Sequence, residues 1–225
     1  MTFSIAAKDK KTGMFGIAIA TSAIAVGNRC PWVKAGVGAV TTQHRTDTRQ
    51  GPVGLELLSQ GLSAPEVVRV LSQANDDPGE RQFAAVDKEG RVAFFCGPAI
   101  PNIATGTVGD ACVATGNFLA NHNITDSMIA EYERAPELEF GDRLMKALDA
   151  GVKAGGETKP VMSAALLIAD QQSWPLVDLR IDFQENPEVA LRALWDFYKP
   201  HQQRFIDQVL RPSSLQLLTD SPMNV

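Results

Sequence analysis

Short apolar runs separated by polar turns predict most of the strands in this chain. In residues 2–7, apolar and polar side chains alternate with the period of a half-buried strand. Residues 15–21 are nearly all apolar or small, which is typical of a strand buried on both faces. The same signals predict further strands at 37–43, 82–87, 91–96, 105–108, 111–115, 162–169 and 176–182.

Helical periodicity predicts two pairs of helices and a long terminal helix. Ser63 and Thr125 stand where N-terminal caps are expected, and Pro187 opens the last helix. The predicted helices cover residues 51–61, 63–75, 125–134, 139–153 and 187–210. Because strand hairpins are grouped between helix pairs, we predict a single α+β domain over residues 1–210, followed by a tail at 211–225.

Composition excludes several classes of function. The chain has 225 residues and a formal net charge of -5, which argues against nucleic acid as a partner. No apolar run approaches the roughly 20 residues that a membrane-spanning helix needs. The first strand starts directly behind Met1 without a secretory pattern, so a cytoplasmic location and no membrane partner are expected.

Cysteine and histidine residues are too scattered to indicate a metal centre. The 3 cysteines form no Cys-x-x-Cys pair, and the 3 histidines show no zinc-binding spacing. Gly-rich nucleotide-binding loops are also absent from the sequence. We therefore predict neither a metal nor a cofactor.

The second residue offers a candidate nucleophile. Removal of Met1 would leave Thr2 with a free amine and a hydroxyl group on the same residue. Such an amine can serve as the base that activates a threonine nucleophile. An unperturbed α-amino group titrates at about 7.7–8.0, so it is partly neutral at physiological pH, as a general base must be.

Several stretches of sequence carry a family resemblance. The longest are 2–9, 16–22, 31–40, 42–43, 51–52 and 54–58, and shorter matches are 61–64, 116–117, 163–167 and 177–180. Together they resemble a bacterial family named as a domain of unknown function, number 1028. The resemblance implies a four-layer αββα fold similar to N-terminal-nucleophile (Ntn) hydrolases, and it implies no particular substrate. Residues 44–50 and 94–97 depart from the family pattern, which leaves specificity open.

Under that fold, the residues around Thr2 receive specific roles. Asn117 and a backbone N–H near Gly116 are predicted to stabilise the oxyanion, Ser22 to bond the Thr2 amine, and Lys34 to lower the proton affinity of that amine. Gln43 is predicted to orient the substrate, with Gly116, Thr42 and His44 completing the substrate-binding set. Structural alternatives stay open: Asn117 can stabilise a turn, Lys34 can be solvated, and His44 can be an ordinary loop residue.

The sequence thus predicts hydrolysis of a small-molecule amide or peptide-like bond by Thr2. Two other interpretations remain. One is a non-catalytic protein of the same fold that binds a ligand in the same cleft. The other is a scaffold protein that forms a homo-oligomer through the C-terminal helix, with Trp195, Phe197 and Tyr198 as anchors.

Overall fold

Two stacked β-sheets form the centre of the molecule in a computed structural model that describes residues 1–74 and 76–214. Asn75, where the predicted second helix ends, and residues 215–225 of the predicted tail lie outside the described residues. The strands are β1 (Thr2–Lys8), β2 (Phe15–Thr21), β3 (Pro31–Lys34), β4 (Gly38–His44), β5 (Arg81–Asp87), β6 (Val92–Cys96), β7 (Ala104–Gly109), β8 (Cys112–Asn117), β9 (Ser163–Ala169) and β10 (Val177–Ile181). The helices are α1 (Gln50–Ser59), α2 (Ala64–Gln73), α3 (Ile124–Arg134), α4 (Phe140–Lys153), α5 (Pro187–Tyr198) and α6 (Gln202–Leu210).

The sheets are antiparallel, and each is covered by helices on its outer face. The first sheet has the strand order β10-β9-β2-β1-β8-β7, and the second has the order β3-β4-β5-β6. Apolar side chains of α3, α4 and α5 pack on the first sheet, and those of α1 and α2 pack on the second. This arrangement confirms the predicted α+β class and the four-layer αββα sandwich.

Side-chain alternation in β1 assigns its two faces. Phe3 and Ile5 belong to the apolar layer under α3 and α4, whereas Ala6 packs between the two sheets. Because successive side chains of a strand point to opposite faces, Thr2 and Ser4 share the inner face with Ala6. The inner face of β1 is therefore apolar in its middle and polar at its N-terminal end.

Two predicted elements differ from the structure, and proline explains both differences. The sequence predicts no strand between residues 21 and 37, but Pro31–Lys34 form β3, an edge strand, where proline is tolerated because one side of the strand needs no ladder hydrogen bonds. The predicted single helix 187–210 is two helices separated by a 3₁₀ turn at Lys199–His201. Pro200 lies in that turn, where its missing N–H interrupts helical hydrogen bonding.

The terminal helices are part of the core of this chain. Trp195 is fully buried with α4 and β9, and the Tyr198 hydroxyl donates to the Leu176 carbonyl oxygen at 2.9 Å. Of the three predicted anchors for another subunit, Phe197 remains exposed, at 51%. Trp195 therefore stabilises its own chain, which corrects its predicted role as an intersubunit anchor.

Residues 1–74 and 76–214 contain neither a membrane-crossing helix nor a metal-binding cluster. No helix in that part of the chain combines the length and the apolar character needed to cross a membrane. The same residues contain no group of three or more His, Cys, Asp or Glu side chains that could hold a metal ion.

Candidate active site at the N-terminal strand

A row of polar side chains crosses neighbouring strands at one end of the first sheet. Thr2 in β1 lies opposite Asn117 in β8, and Thr21 in β2 lies opposite Ser163 in β9. Directly opposed residues of antiparallel strands have their side chains on the same face. The Thr2 and Thr21 hydroxyl oxygens lie 3.3 Å apart, so the row is continuous from β9 to β8. All four residues are buried.

Met1 is held at the middle of this row. The Thr2 hydroxyl donates to the Met1 carbonyl oxygen at 2.5 Å, and the Thr21 hydroxyl donates to the same oxygen. The Met1 sulfur lies 3.6 Å from the Thr158 hydroxyl oxygen. Met1 therefore lies against the candidate nucleophile, and its carbonyl group engages both threonine hydroxyls.

A buried carboxylate, that of Glu157, lies beside the row. Both of its oxygens accept the backbone N–H of Ser22, at 3.2 and 3.1 Å, and the residue is only 7% exposed. The loop that follows α4 places it there through Gly155 and Gly156, which have φ values of +125° and +58° that favour glycine. Glu157 then forms a single antiparallel bridge with Leu119, which fixes its backbone next to β8.

The environment of Glu157 favours its protonated form more than water does. Burial raises the pKa of Glu157 to about 7, although hydrogen bonds from Ser22 and Thr21 and the positive Met1 amine lower it. At neutral pH this carboxyl group can therefore both accept and release a proton. Such a property is common among catalytic carboxylates, which are tuned towards the working pH.

Burial and nearby cationic side chains lower the pKa of the N-terminal amine. Burial lowers the pKa of the Met1 α-amino group, and Glu157 opposes that effect. Arg29 and Lys159 lower the pKa of the amine further, because they repel its protonated form. The amine is thus shifted towards its neutral form.

Glu157 gives a testable dependence of stability on pH. Its raised pKa means that the folded state binds its proton more tightly than the unfolded state does, so its favourable contribution is present below about pH 4.5 and is lost as the pH rises through about 7. We expect Glu157→Gln to gain about 2 kcal/mol of unfolding free energy relative to wild type between pH 5 and pH 8. Thermal unfolding of both proteins at the two pH values measures this, and a gap that is independent of pH would contradict it.

Asn117 lies next to Thr2, whereas Gly116 is used by the sheet. The Asn117 side-chain N–H donates to Gln82 Oε1 at 2.8 Å, and its Oδ1 is buried without a hydrogen-bond partner. Gly116 is paired with both β1 and β7, so the ladders use its N–H, and its carbonyl also accepts from Gln82 at 2.8 Å. The N–H of Gly116 itself is therefore not free to act as the predicted second oxyanion donor, and Asn117 remains the side-chain candidate.

Gln43 lies between the two sheets, deeper than the row of polar residues. Its amide donates to the Ser4 hydroxyl at 3.0 Å and to the Thr115 hydroxyl at 2.6 Å, and the side chain is fully buried. Its Oε1 has no hydrogen-bond partner. The structure thus brings Gln43 behind Thr2, where it ties β4 to β1 and β8.

Thr42 faces away from the space between the sheets. Val40, two residues earlier on the same face of β4, packs under α1 and α2. The Thr42 hydroxyl donates to the Asp47 carbonyl oxygen at 3.3 Å. The predicted substrate contact of Thr42 is corrected because strand alternation directs Thr41 inwards instead. The Thr41 hydroxyl is buried and has no hydrogen-bond partner.

His44 is held at the end of β4 by its own structural contacts. Its Nδ1 lies 2.6 Å from the Glu80 carbonyl oxygen, so Nδ1 donates a hydrogen bond to that oxygen. Its ring stacks on Phe118 with centroids 5.7 Å apart and an interplanar angle of 12°. Both residues have left-handed backbones, with φ values of 67° and 56°. Such strained positions cluster at functional sites, which keeps His44 as a candidate substrate contact.

Lys34 is remote from the candidate site. Its ammonium group donates to the Ser59 hydroxyl at 3.1 Å, and it lines a surface cavity together with Ala169. Ala169 is the last residue of β9, and Ser163, which lies in the row with Thr2, is the first, so Lys34 is at the far end of that strand. The predicted effect of Lys34 on the amine is therefore corrected, and Arg29 and Lys159 act there instead.

Sequence reasoning missed Thr21 and Glu157. Thr21 had a usable signal, because it is the one polar residue of an apolar strand and stands at its end. Glu157 had little signal beyond the two glycines before it, since a charged residue in a loop is usually solvated. Ser22 was predicted to bond the Thr2 amine, and in the structure its backbone N–H donates to Glu157.

Comparison with solved structures identifies similar molecules. A crystal structure of protein SPO2555 from Silicibacter pomeroyi, described as a DUF1028 protein, is 30% identical over 88% of this chain and 86% of that chain, with a TM-score of 0.82. Anbu (ancestral beta-subunit) from Yersinia bercovieri is 11% identical over 91% of this chain and 97% of that chain, with a TM-score of 0.40. None of the curated proteins matches the chain significantly.

The sequence model of one family covers most of the chain. It is described as a family of unknown function, DUF1028, and it matches residues 2–191, from the candidate nucleophile to the first half of α5. The matched range thus contains the whole row of polar residues and Glu157. The chain belongs to the DUF1028 family.

Proposed function

We propose that this protein hydrolyses a small amide or peptide-like bond, with Thr2 as the nucleophile after Met1 has been removed. The observation that carries the proposal is the buried Thr2 hydroxyl, which already engages the carbonyl oxygen of the residue before it, in a row of polar groups. A substrate carbonyl that takes the place of the Met1 carbonyl would lie within reach of the same hydroxyl. Ntn hydrolases, whose fold the family resemblance implies, use an N-terminal residue in this way.

The proposed chemistry follows from the groups around Thr2. Its Oγ attacks the carbonyl carbon of the substrate while a nearby base, such as its own α-amine, takes the hydroxyl proton. Asn117, opposite Thr2, is the candidate donor to the oxyanion. The C–N bond then breaks, the leaving nitrogen takes the proton, and an ester on Thr2 remains. Water hydrolyses this ester, which releases the acid and restores the hydroxyl.

Intact mass measurement tests the proposal in two steps. We expect the protein purified from cells to be lighter than the translated chain by one methionine residue. We then expect incubation with a fluorescent β-lactone, an electrophile that acylates activated hydroxyl groups, to add one probe mass per chain. Protein that retains Met1 fully and gains no probe would contradict the catalytic role and favour a ligand-binding protein, since Met1 would then occupy the space in front of Thr2 permanently.

A further inference from the structure

Glu157 is an unusual carboxylate for a purely structural role. It is buried, yet no ion pair to it is present among the salt bridges formed by residues 1–74 and 76–214. The backbone N–H of Ser22 holds both of its oxygens, so its orientation is fixed without a charged side chain. A buried carboxylate that forms no salt bridge costs free energy, even with the Met1 amine nearby, so its presence beside a candidate nucleophile calls for a functional explanation.

Thr21 connects that carboxylate to the nucleophile. Its hydroxyl oxygen lies 3.3 Å from the Thr2 hydroxyl, which donates to it. Thr21 directly precedes Ser22, whose backbone N–H binds the Glu157 carboxylate, and the Thr21 side chain lowers the pKa of that carboxylate. A hydroxyl group both donates and accepts, so Thr21 can receive a proton from Thr2 and pass its own proton on.

Met1 competes for the same hydroxyl groups. Both Thr2 and Thr21 donate to the Met1 carbonyl oxygen. While that carbonyl is present, neither proton is free to move towards Glu157. Removal of Met1 takes away this acceptor and leaves the carboxylate as the acceptor for Thr21.

We propose that Thr21 and Glu157 form a proton relay that activates Thr2, with Thr21 as the carrier and Glu157 as the final acceptor. This inference rests on the proposed function of Thr2 and adds a base to the amine. As Thr2 Oγ forms its bond to the substrate carbonyl carbon, its proton passes to Thr21 Oγ, and the Thr21 proton passes to Glu157. When the C–N bond breaks, Glu157 returns a proton to Thr21 Oγ, and Thr21 donates its own proton to the leaving nitrogen.

Charged groups around the relay determine its working pH. The Met1 amine, replaced by the Thr2 amine after processing, faces Glu157, and Arg29 and Lys159 act on that amine. The Cys30 thiol is also close to the amine, but burial raises its pKa, so it stays neutral near pH 7. The ionised form of Glu157 is the active one, so the relay switches on as the pH rises through about 7.

The pH dependence of Thr2 acylation by the β-lactone probe tests the relay. For wild type we expect the rate to rise with an inflection near pH 7. Glu157→Gln should lose that inflection and react about 100-fold more slowly at pH 8. Thr21→Val, which keeps the side-chain shape but removes the hydroxyl, should behave in the same way, whereas Thr21→Ser should restore the inflection.

Ser22→Ala is the comparison variant, because it leaves both the carboxyl group and the backbone N–H that holds it. It should keep an inflection, shifted to higher pH, because the Ser22 side chain also hydrogen-bonds Glu157 and lowers its pKa. If Glu157→Gln and Thr21→Val both keep the inflection of wild type, whatever their rates, the relay is overturned while the role of Thr2 stands. If wild type that has lost Met1 is never acylated on Thr2, the proposed function fails and the relay fails with it. Should Glu157→Gln not fold, the Thr21→Val and Thr21→Ser pair decides alone.

Discussion

Thr2→Ala is expected to lower the rate of acylation by the β-lactone probe by at least about 1,000-fold, because the variant has no hydroxyl to attack the carbonyl. The substitution should leave the fold intact. The Thr2 hydroxyl donates only to Met1 and Thr21 among its hydrogen-bond partners in the described chain, and the strand is held by its ladders with β2 and β8. Probe fluorescence after gel separation, followed over time, measures the rate.

Thr2→Ser is the control for this prediction. It keeps a hydroxyl at the same position and should react within about 10-fold of wild type, provided that Met1 is removed from both proteins. Acylation of Thr2→Ala at the rate of wild type would place the nucleophile elsewhere. Circular dichroism and thermal unfolding of the three proteins establish that the comparison is made between folded chains.

Trp195→Ala is expected to destabilise the protein by about 3–5 kcal/mol, because a fully buried indole is removed from the core. The Trp195 ring packs directly over Gly141 of α4, and its Nε1–H donates to Asp142 Oδ1 at 2.8 Å. For a chain of this size, we expect a fall of roughly 10 °C in Tm. Denaturant unfolding followed by circular dichroism gives the free energy.

Phe197→Ala is the matched control on the same helix. Phe197 is 51% exposed, so its loss should change the free energy of unfolding by less than about 1 kcal/mol. Equal effects of the two substitutions would contradict the burial of Trp195. This pair also tests the prediction that residues 1–210 fold as one domain, because Trp195 stabilises the whole protein only if α5 unfolds together with the sandwich.

Local patterns were sufficient to predict most strands and helices and the α+β class, whereas the four-layer arrangement was implied by the family resemblance. The apolar run at 15–21 reflects a strand buried on both faces, and the helical spacing at 139–153 reflects a helix buried on one face. Both patterns could therefore be recognised without knowledge of the tertiary structure. The edge strand β3 was missed because an edge strand needs neither a long apolar run nor the exclusion of proline. The break at Pro200 was visible in the sequence, but the apolar periodicity continues on both sides of it.

The candidate site was less predictable, because it depends on pairings between distant strands. Thr41 and Thr42 are neighbours in β4, so their side chains point to opposite faces of the sheet. A shift of one residue in the strand register would exchange which of them faces the interior. Lys34 is only nine residues before Gln43 in the sequence, but it pairs with Gly38 at the opposite end of β4. Glu157 is brought to Thr2 by a loop whose path no local pattern encodes. Thr2 itself was predicted from its position behind Met1 and from the family resemblance.

The location of the probe adduct tests the central claim most directly. After reaction with the β-lactone and digestion with trypsin, the peptide that covers the first strand, TFSIAAK, is analysed by fragmentation mass spectrometry. We predict that this peptide starts at Thr2, without Met1, and that it carries one acyl group on the Thr2 side chain. An adduct on any other residue, or an unmodified peptide that still begins with Met1, would contradict the assignment of Thr2 as the nucleophile.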